Sequence, residues 1–117
     1  NGAFELTQSA LEFFERSGQR SWQAVAHSFM MPCIAQQRRW EQFDVHFGAA
    51  KDLLNEVGFA DAEVARTVEQ SAEILQSAGQ VKRADRVFAL AVTQWRAIGR
   101  DDEVKRLLRK TGPPTFH

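Results

Sequence analysis

The chain is 117 residues long, enough for one domain with a core of its own. Fifteen basic and fifteen acidic side chains cancel, which removes the global field that a nonspecific nucleic-acid or anionic-membrane binder needs. The single Cys33 excludes an internal disulfide and suits a reducing compartment. No stretch is apolar for long enough to span a bilayer and the N-terminus lacks a signal-peptide pattern, so the expected location is the cytoplasm.

Asn1-Gly2-Ala3, with no initiating methionine, reads as an expression remnant or an internal cut, and the chain as a piece of a larger protein. The expected organisation is a remnant or linker over 1–4, a single helical-repeat domain over 5–111 and a flexible tail over 112–117. Prolines are confined to Pro32, Pro113 and Pro114, and nothing alternates with period two for long, so the chain is expected to be all-α. Three phrases recur: Phe13-Phe14-Glu15-Arg16-Ser17-Gly18, Leu53-Leu54-Asn55-Glu56-Val57-Gly58 and Gln94-Trp95-Arg96-Ala97-Ile98-Gly99. Their glycines stand about forty positions apart, within the roughly 20–50-residue periods of stacked helical repeats.

The first helix is expected from Leu6 to Ser17, with Leu6, Ala10, Leu11, Phe13 and Phe14 on its apolar side and Gly18 as its stop. A second begins at Ser21 as N-cap and gathers Trp22, Val25, Ala26, Phe29, Met30, Cys33 and Ile34 on one broad side. It has no charged residue from Ser21 to Gln37, the mark of a helix packed between neighbours. Pro32 either kinks this helix or ends it near Met31 and opens the next.

A third helix is expected over Arg39–Val57, burying Trp40, Phe43, Phe47, Ala50, Leu54 and Val57 and stopping at Gly58. Asp61 caps a fourth that runs to about Ala78, with Val64, Ala65, Val68, Ala72 and Leu75 inward and Arg66, Glu69, Glu73 and Gln76 outward. After Gly79 a fifth runs from Val81 to Ile98, with Val81, Ala84, Phe88, Ala91, Trp95 and Ile98 in one stripe widened by Leu90 and Val92. A last helix restarts at Asp101 or Asp102, docked by Val104, Leu107 and Leu108, with acids at its positive end and Arg109 and Lys110 at its negative end.

The stretch Val68…Ala72…Leu75…Ala84…Phe88…Ala91 resembles the tetratricopeptide repeat, and Ala84-x3-Phe88-x2-Ala91 meets the second-helix part of its pattern fully. Phe43-x3-Phe47-x2-Ala50 repeats that part with Phe43 where an alanine is expected. The first-helix part departs: the usual tryptophan falls at Val68, the Leu-Gly pair at Ser71-Ala72 and the tyrosine at Leu75, and no proline follows Ile98. The longer units are similar to the helical-repeat domains of large bacterial ATP-binding transcription activators and related signalling kinases, whose inter-repeat turn Ala97-Ile98-Gly99-Arg100-Asp101-Asp102-Glu103 resembles. The resemblance implies a right-handed superhelical array of antiparallel helix pairs, about five to six helices in all. It implies too that Arg66, Glu69, Glu73 and Gln76, continued by Lys105 and Arg109, line a partner-binding groove suited to a polar peptide or protein surface.

Catalytic and metal chemistry find no footing. His27, Cys33 and His46 are the internal residues with transition-metal character, yet no close ligand pair exists, and no metal or cofactor is expected. There is no Gly-x-Ser-x-Gly turn and no glycine-rich phosphate loop, and Cys33 sits in an apolar run, so the chain is not expected to be an enzyme. The cluster Lys105, Arg106, Arg109 and Lys110 follows the usual placing of bases at a helix C-terminus, so no nucleic-acid partner is expected, nor a membrane. The leading expectation is a noncatalytic protein-interaction scaffold within a larger bacterial regulatory protein. One alternative is a small-molecule sensor whose pocket is lined by Trp22, Phe29 and Trp40, residues that otherwise fill a core. The other is an oligomerisation domain, dimerising through a terminal helix that presents Phe13 and Phe14 or Leu107 and Leu108.

Overall fold

A computed structural model describes residues 8–10, 12, 13 and 18–111, and among these there is no strand. Five helices follow one another: α1 Arg20–Gln36, α2 Trp40–Val57, α3 Ala62–Ser77, α4 Val81–Ala97 and α5 Asp101–Thr111. Residues 8–10, 12 and 13 are also helical, while most of the first expected helix and the tail 112–117 lie outside the described residues. The chain is all-α, and it divides into two compact units, Asn1–Phe59 and Ala60–His117.

One turn geometry joins the helices. Gly58, Gly79 and Gly99 have φ of 65°, 79° and 75°, and the residue after each donates its N–H to the carbonyl five positions back: Phe59 to Leu54, Gln80 to Leu75 and Arg100 to Trp95. This is the Schellman closure, which satisfies carbonyls left over at a helix end. The α1–α2 turn makes the same bond, from Arg39 N–H to the Ile34 carbonyl at 3.3 Å, but its left-handed residue is Arg38, with φ of 58°. A side chain at this conformation carries a steric cost of about 1–2 kcal/mol. Arg38→Gly should therefore raise stability by about 1 kcal/mol once the greater freedom of glycine in the unfolded chain is counted, read as a higher denaturant midpoint at unchanged slope.

In the first unit α1 and α2 pack as an antiparallel pair. Arg20 at the start of α1 forms an ion pair with Glu56 near the end of α2, and His27 in the middle of α1 meets His46 in α2. Ala24, Met30, Met31, Ile34 and Ala35 of α1 are buried, as are Phe43, Ala50, Leu53 and Leu54 of α2. Phe43 and Phe47 lie with near-parallel rings, their centroids 6.3 Å apart.

Several expectations for this unit need correction. The N-cap of α1 is Gln19, with no side-chain bond, rather than Ser21; the preceding turn ends at Gly18, so the helix starts as soon as the chain can turn back. Pro32 neither opens nor closes a helix, because α1 runs through it to Gln36. Buried Met30 and Met31 on one side of the proline, and Ile34 and Ala35 on the other, hold both halves in place against the loss of one backbone hydrogen bond. Trp22 and Phe29 are exposed and not inward-facing, at 54% and 38%. They stand two turns apart on one strip of α1, while the residues between them are buried without a break from Gln23 to Ser28.

The second unit stacks three helices in sequence, α3 on α4 and α4 on α5. Asp61 caps α3 as expected, its carboxylate accepting the Val64 N–H at 2.8 Å. Val64, Ala65, Val68, Ala72 and Leu75 of α3 and Ala84, Phe88, Ala91 and Trp95 of α4 are buried, in keeping with the expected stripes. Val81, the first residue of α4, is exposed, and Ile98, just past its end, is half-buried. Val104 and Leu107 dock α5.

Candidate functional site

The residues singled out on α3 and α5 meet in a seam of ion pairs. The Arg106 guanidinium grips the Glu69 carboxylate with two bonds, Nη1 to Oε2 at 2.8 Å and Nη2 to Oε1 at 2.7 Å. One turn on, Lys110 pairs with Glu73. Both pairs span 37 residues, and a constant offset along two helices means that they run parallel and in register. α3 and α5 therefore lie side by side, pointing the same way, while α4 returns antiparallel between them in sequence.

Glu69 is the centre of this seam. Its side chain keeps only 11% of its exposure, and Trp95 Nε1 of α4 donates to its Oε1 at 3.3 Å. Burial alone would push the Glu69 carboxyl up, but the bonds from Arg106 and Trp95 and the charges of Arg106 and Lys110 outweigh it and hold the group below its ordinary value. Arg106 also takes Glu103 at 2.6 Å, so the guanidinium bridges two carboxylates and its own proton is held more tightly than usual. Arg66 and Arg100 stand over the Trp95 ring at 5.7 and 5.5 Å from its centroid, close enough for cation–π attraction.

This placing revises the helical-wheel assignment. Glu69 does not face outward: it is buried and tied to α4 and α5, because α5 covers the side of α3 that a wheel of α3 alone leaves open to water. Glu73 is half-buried beside Lys110. Arg66, Gln76, Lys105 and Arg109 are exposed, and Arg66 also binds Glu63 at 2.9 Å. Lys105 and Arg109 stand one turn apart beside the seam. Of the cluster Lys105, Arg106, Arg109 and Lys110, two members are thus engaged by carboxylates of α3. Arg106, read in the sequence only as one base of a helix C-terminal cluster, pairs with Glu69, a partner that local spacing does not reveal because it is 37 residues away.

No protein-family model, curated protein or solved structure matches the chain. The seam therefore has to be read from its own chemistry. No group of three or more His, Cys, Asp or Glu gathers among the described residues in a way that could hold a metal ion. No described helix is long and apolar enough to cross a membrane. Trp22, Phe29 and Trp40 divide by exposure: the first two face solvent and Trp40 is half-buried. Leu107, a candidate for end-to-end dimerisation, is fully buried in its own unit, and Leu108 is half-buried; Phe13 is exposed and Phe14 lies outside the described residues.

Two further side chains come together in the first unit. Nδ1 of His27 and Nδ1 of His46 are 2.8 Å apart, although the residues are 19 positions apart in sequence. Sequence spacing offers no sign of this contact, since it depends on how α1 and α2 slide along each other.

Proposed function

We propose that the chain is a noncatalytic protein-interaction module, built of tetratricopeptide-like antiparallel helix pairs and forming part of a larger bacterial regulatory protein. The observation that carries this reading is the parallel, in-register pairing of α3 with α5 through Glu69–Arg106 and Glu73–Lys110. In tetratricopeptide arrays the first helices of successive pairs lie side by side in this way and together form the surface that a partner meets. Here Glu69 and Glu73 are neutralised by Arg106 and Lys110 and Arg66 is paired with Glu63, which leaves Lys105 and Arg109 as the outward charges of this face, with Gln76 as an outward amide. Such a surface favours an acidic, polar peptide segment.

Panning displayed random peptides against the full chain, followed by fluorescence-anisotropy titration of those recovered, tests the reading. Recovered peptides should be rich in Asp and Glu, and the double variant Lys105→Glu, Arg109→Glu should weaken them at least about tenfold, or 1.4 kcal/mol. Phe29→Ser, on α1, should leave affinity unchanged. Failure to recover any binding peptide, or equal affinity for the double variant, would rule out this face as the partner site.

A further inference from the structure

Two solvent-facing strips of opposite charge lie on α2 and α4. At 3.6 residues per turn, Glu41, Val45, Gly48 and Asp52 of α2 fall within about 60° of arc, and Lys82, Arg86, Ala89, Thr93 and Arg96 of α4 within about 80°. All are exposed except Gly48, which is half-buried, and Val45 keeps 68% of its exposure. Among the described residues, Glu41 and Asp52 form no ion pair, nor do Lys82, Arg86 and Arg96. Glu56 and Arg100, next along each strip, are already paired with Arg20 and Asp102. The zero net charge of the chain thus conceals an acidic strip in the first unit and a basic one in the second.

Gly48 is the member of these strips that the fold does not explain. It stands in the middle of α2, where glycine weakens a helix relative to alanine. A Cβ built on it meets nothing within 4 Å, so no neighbour in the chain requires its bareness. Bare backbone at the centre of an open strip suits the close approach of a further helix. The α4 strip also has a small centre, in Ala89 and Thr93. The Thr93 hydroxyl bonds back to the Ala89 carbonyl at 3.0 Å, so it needs no partner from outside.

Set antiparallel, the two strips match along their length. Glu41 and Asp52 are eleven residues apart, about 16 Å, while Arg86 and Arg96 are ten apart, about 15 Å. Placing Asp52 against Arg86 therefore brings Glu41 beside Arg96, Val45 against Thr93 and Gly48 beside Ala89. The rims agree as well, because Lys51 on one edge of the α2 strip meets Asp85 on the matching edge of the α4 strip. A parallel setting that joins Glu41 to Lys82 instead leaves Asp52 opposite Thr93 and Val45 opposite Arg86. We propose that the α2 strip of one copy of the chain docks antiparallel on the α4 strip of a second copy, small residues at the centre and the Glu41–Arg96 and Asp52–Arg86 pairs on either side. The contact joins two different surfaces, so it is heterologous, and it uses none of the residues assigned to the α3–α5 face. Exposed ion pairs are individually weak and screened by salt, so the association is reversible and strongest at low ionic strength.

Sedimentation velocity of the full chain over a rising concentration series, at low and at moderate salt, tests the contact. The sedimentation coefficient should climb with concentration, and climb less in the higher salt. Asp52→Lys alone and Arg86→Glu alone should each weaken the association at least about tenfold, and the two together in one chain should restore it, since each contact then pairs the reversed charges. Gly48→Gln, whose side chain has open space in the single copy, should keep the urea midpoint and abolish the association. In ¹⁵N–¹H spectra of the wild type, the amides that move with concentration should lie in 41–52 and 82–96. A chain that stays monomeric at low salt overturns the proposal, as does association that survives both single reversals, or amide shifts confined to other helices. The wild-type spectra decide even where a variant fails to fold.

Discussion

Phe43→Ala should cost the first unit about 3–5 kcal/mol, the range for emptying a fully buried aromatic site, and should lower the urea midpoint without altering the slope. The tetratricopeptide pattern would suggest the opposite, since alanine is the residue expected at this place and Phe43 is the departure from it. The structure decides for the phenylalanine. Phe43 is completely buried and its ring lies against Phe47, so truncation leaves a void that the surrounding core can fill only in part. A loss below about 1 kcal/mol would mean that the helices close up over the gap and that the bulky residue is incidental.

Arg106→Ala should destabilise the second unit by about 3 kcal/mol, chiefly because it strands the Glu69 carboxylate in a place with little water. Glu69→Gln should cost less, about 1–2 kcal/mol, since the amide oxygen still accepts from Trp95 and Arg106 keeps Glu103. A double-mutant cycle of the two should be far from additive. The pH dependence separates the cases. In the wild type Glu69 lies below its ordinary 4.5, so its contribution is present above that value and lost as pH falls beneath it. In Arg106→Ala burial dominates, the carboxyl rises above its unfolded value, and this site should gain stability as pH falls toward 4.5. Urea titrations of both proteins at near-neutral and mildly acid pH check this, and parallel pH profiles would show that Arg106 is not what holds Glu69 ionised.

Helix ends were the most legible part of the sequence, because a left-handed turn selects glycine and an N-terminal orphan N–H selects aspartate. Gly58, Gly79, Gly99 and Asp61 all stand where those rules put them. Arg38 was hidden for the complementary reason: it occupies the same geometry without the residue that announces it. With it, left-handed residues fall at 18, 38, 58, 79 and 99, so the forty-residue recurrence seen through the glycines is two helix-length steps.

Which side of a helix is covered was less legible. Periodicity identifies a stripe but not the number of neighbours, and so Glu69 was placed in water while Trp22 and Phe29 were placed in the core. Glu69–Arg106 and His27–His46 both join residues far apart in sequence, and their meeting depends on how two helices are set along each other. No local rule encodes that setting.

The order of packing also bears on how quickly the chain finds its structure. α1 packs on α2, α3 on α4, and α4 on α5, so almost every interface is closed by a turn of a few residues rather than by a long excursion. Short closures cost little chain entropy, and topologies dominated by them fold on microsecond to millisecond timescales. Each hairpin can also form as soon as its second helix has left the ribosome, without waiting for the remainder of the chain. The pairing of α3 with α5 then follows the α3–α4 hairpin, when Arg106 and Lys110 arrive to meet carboxylates already in place.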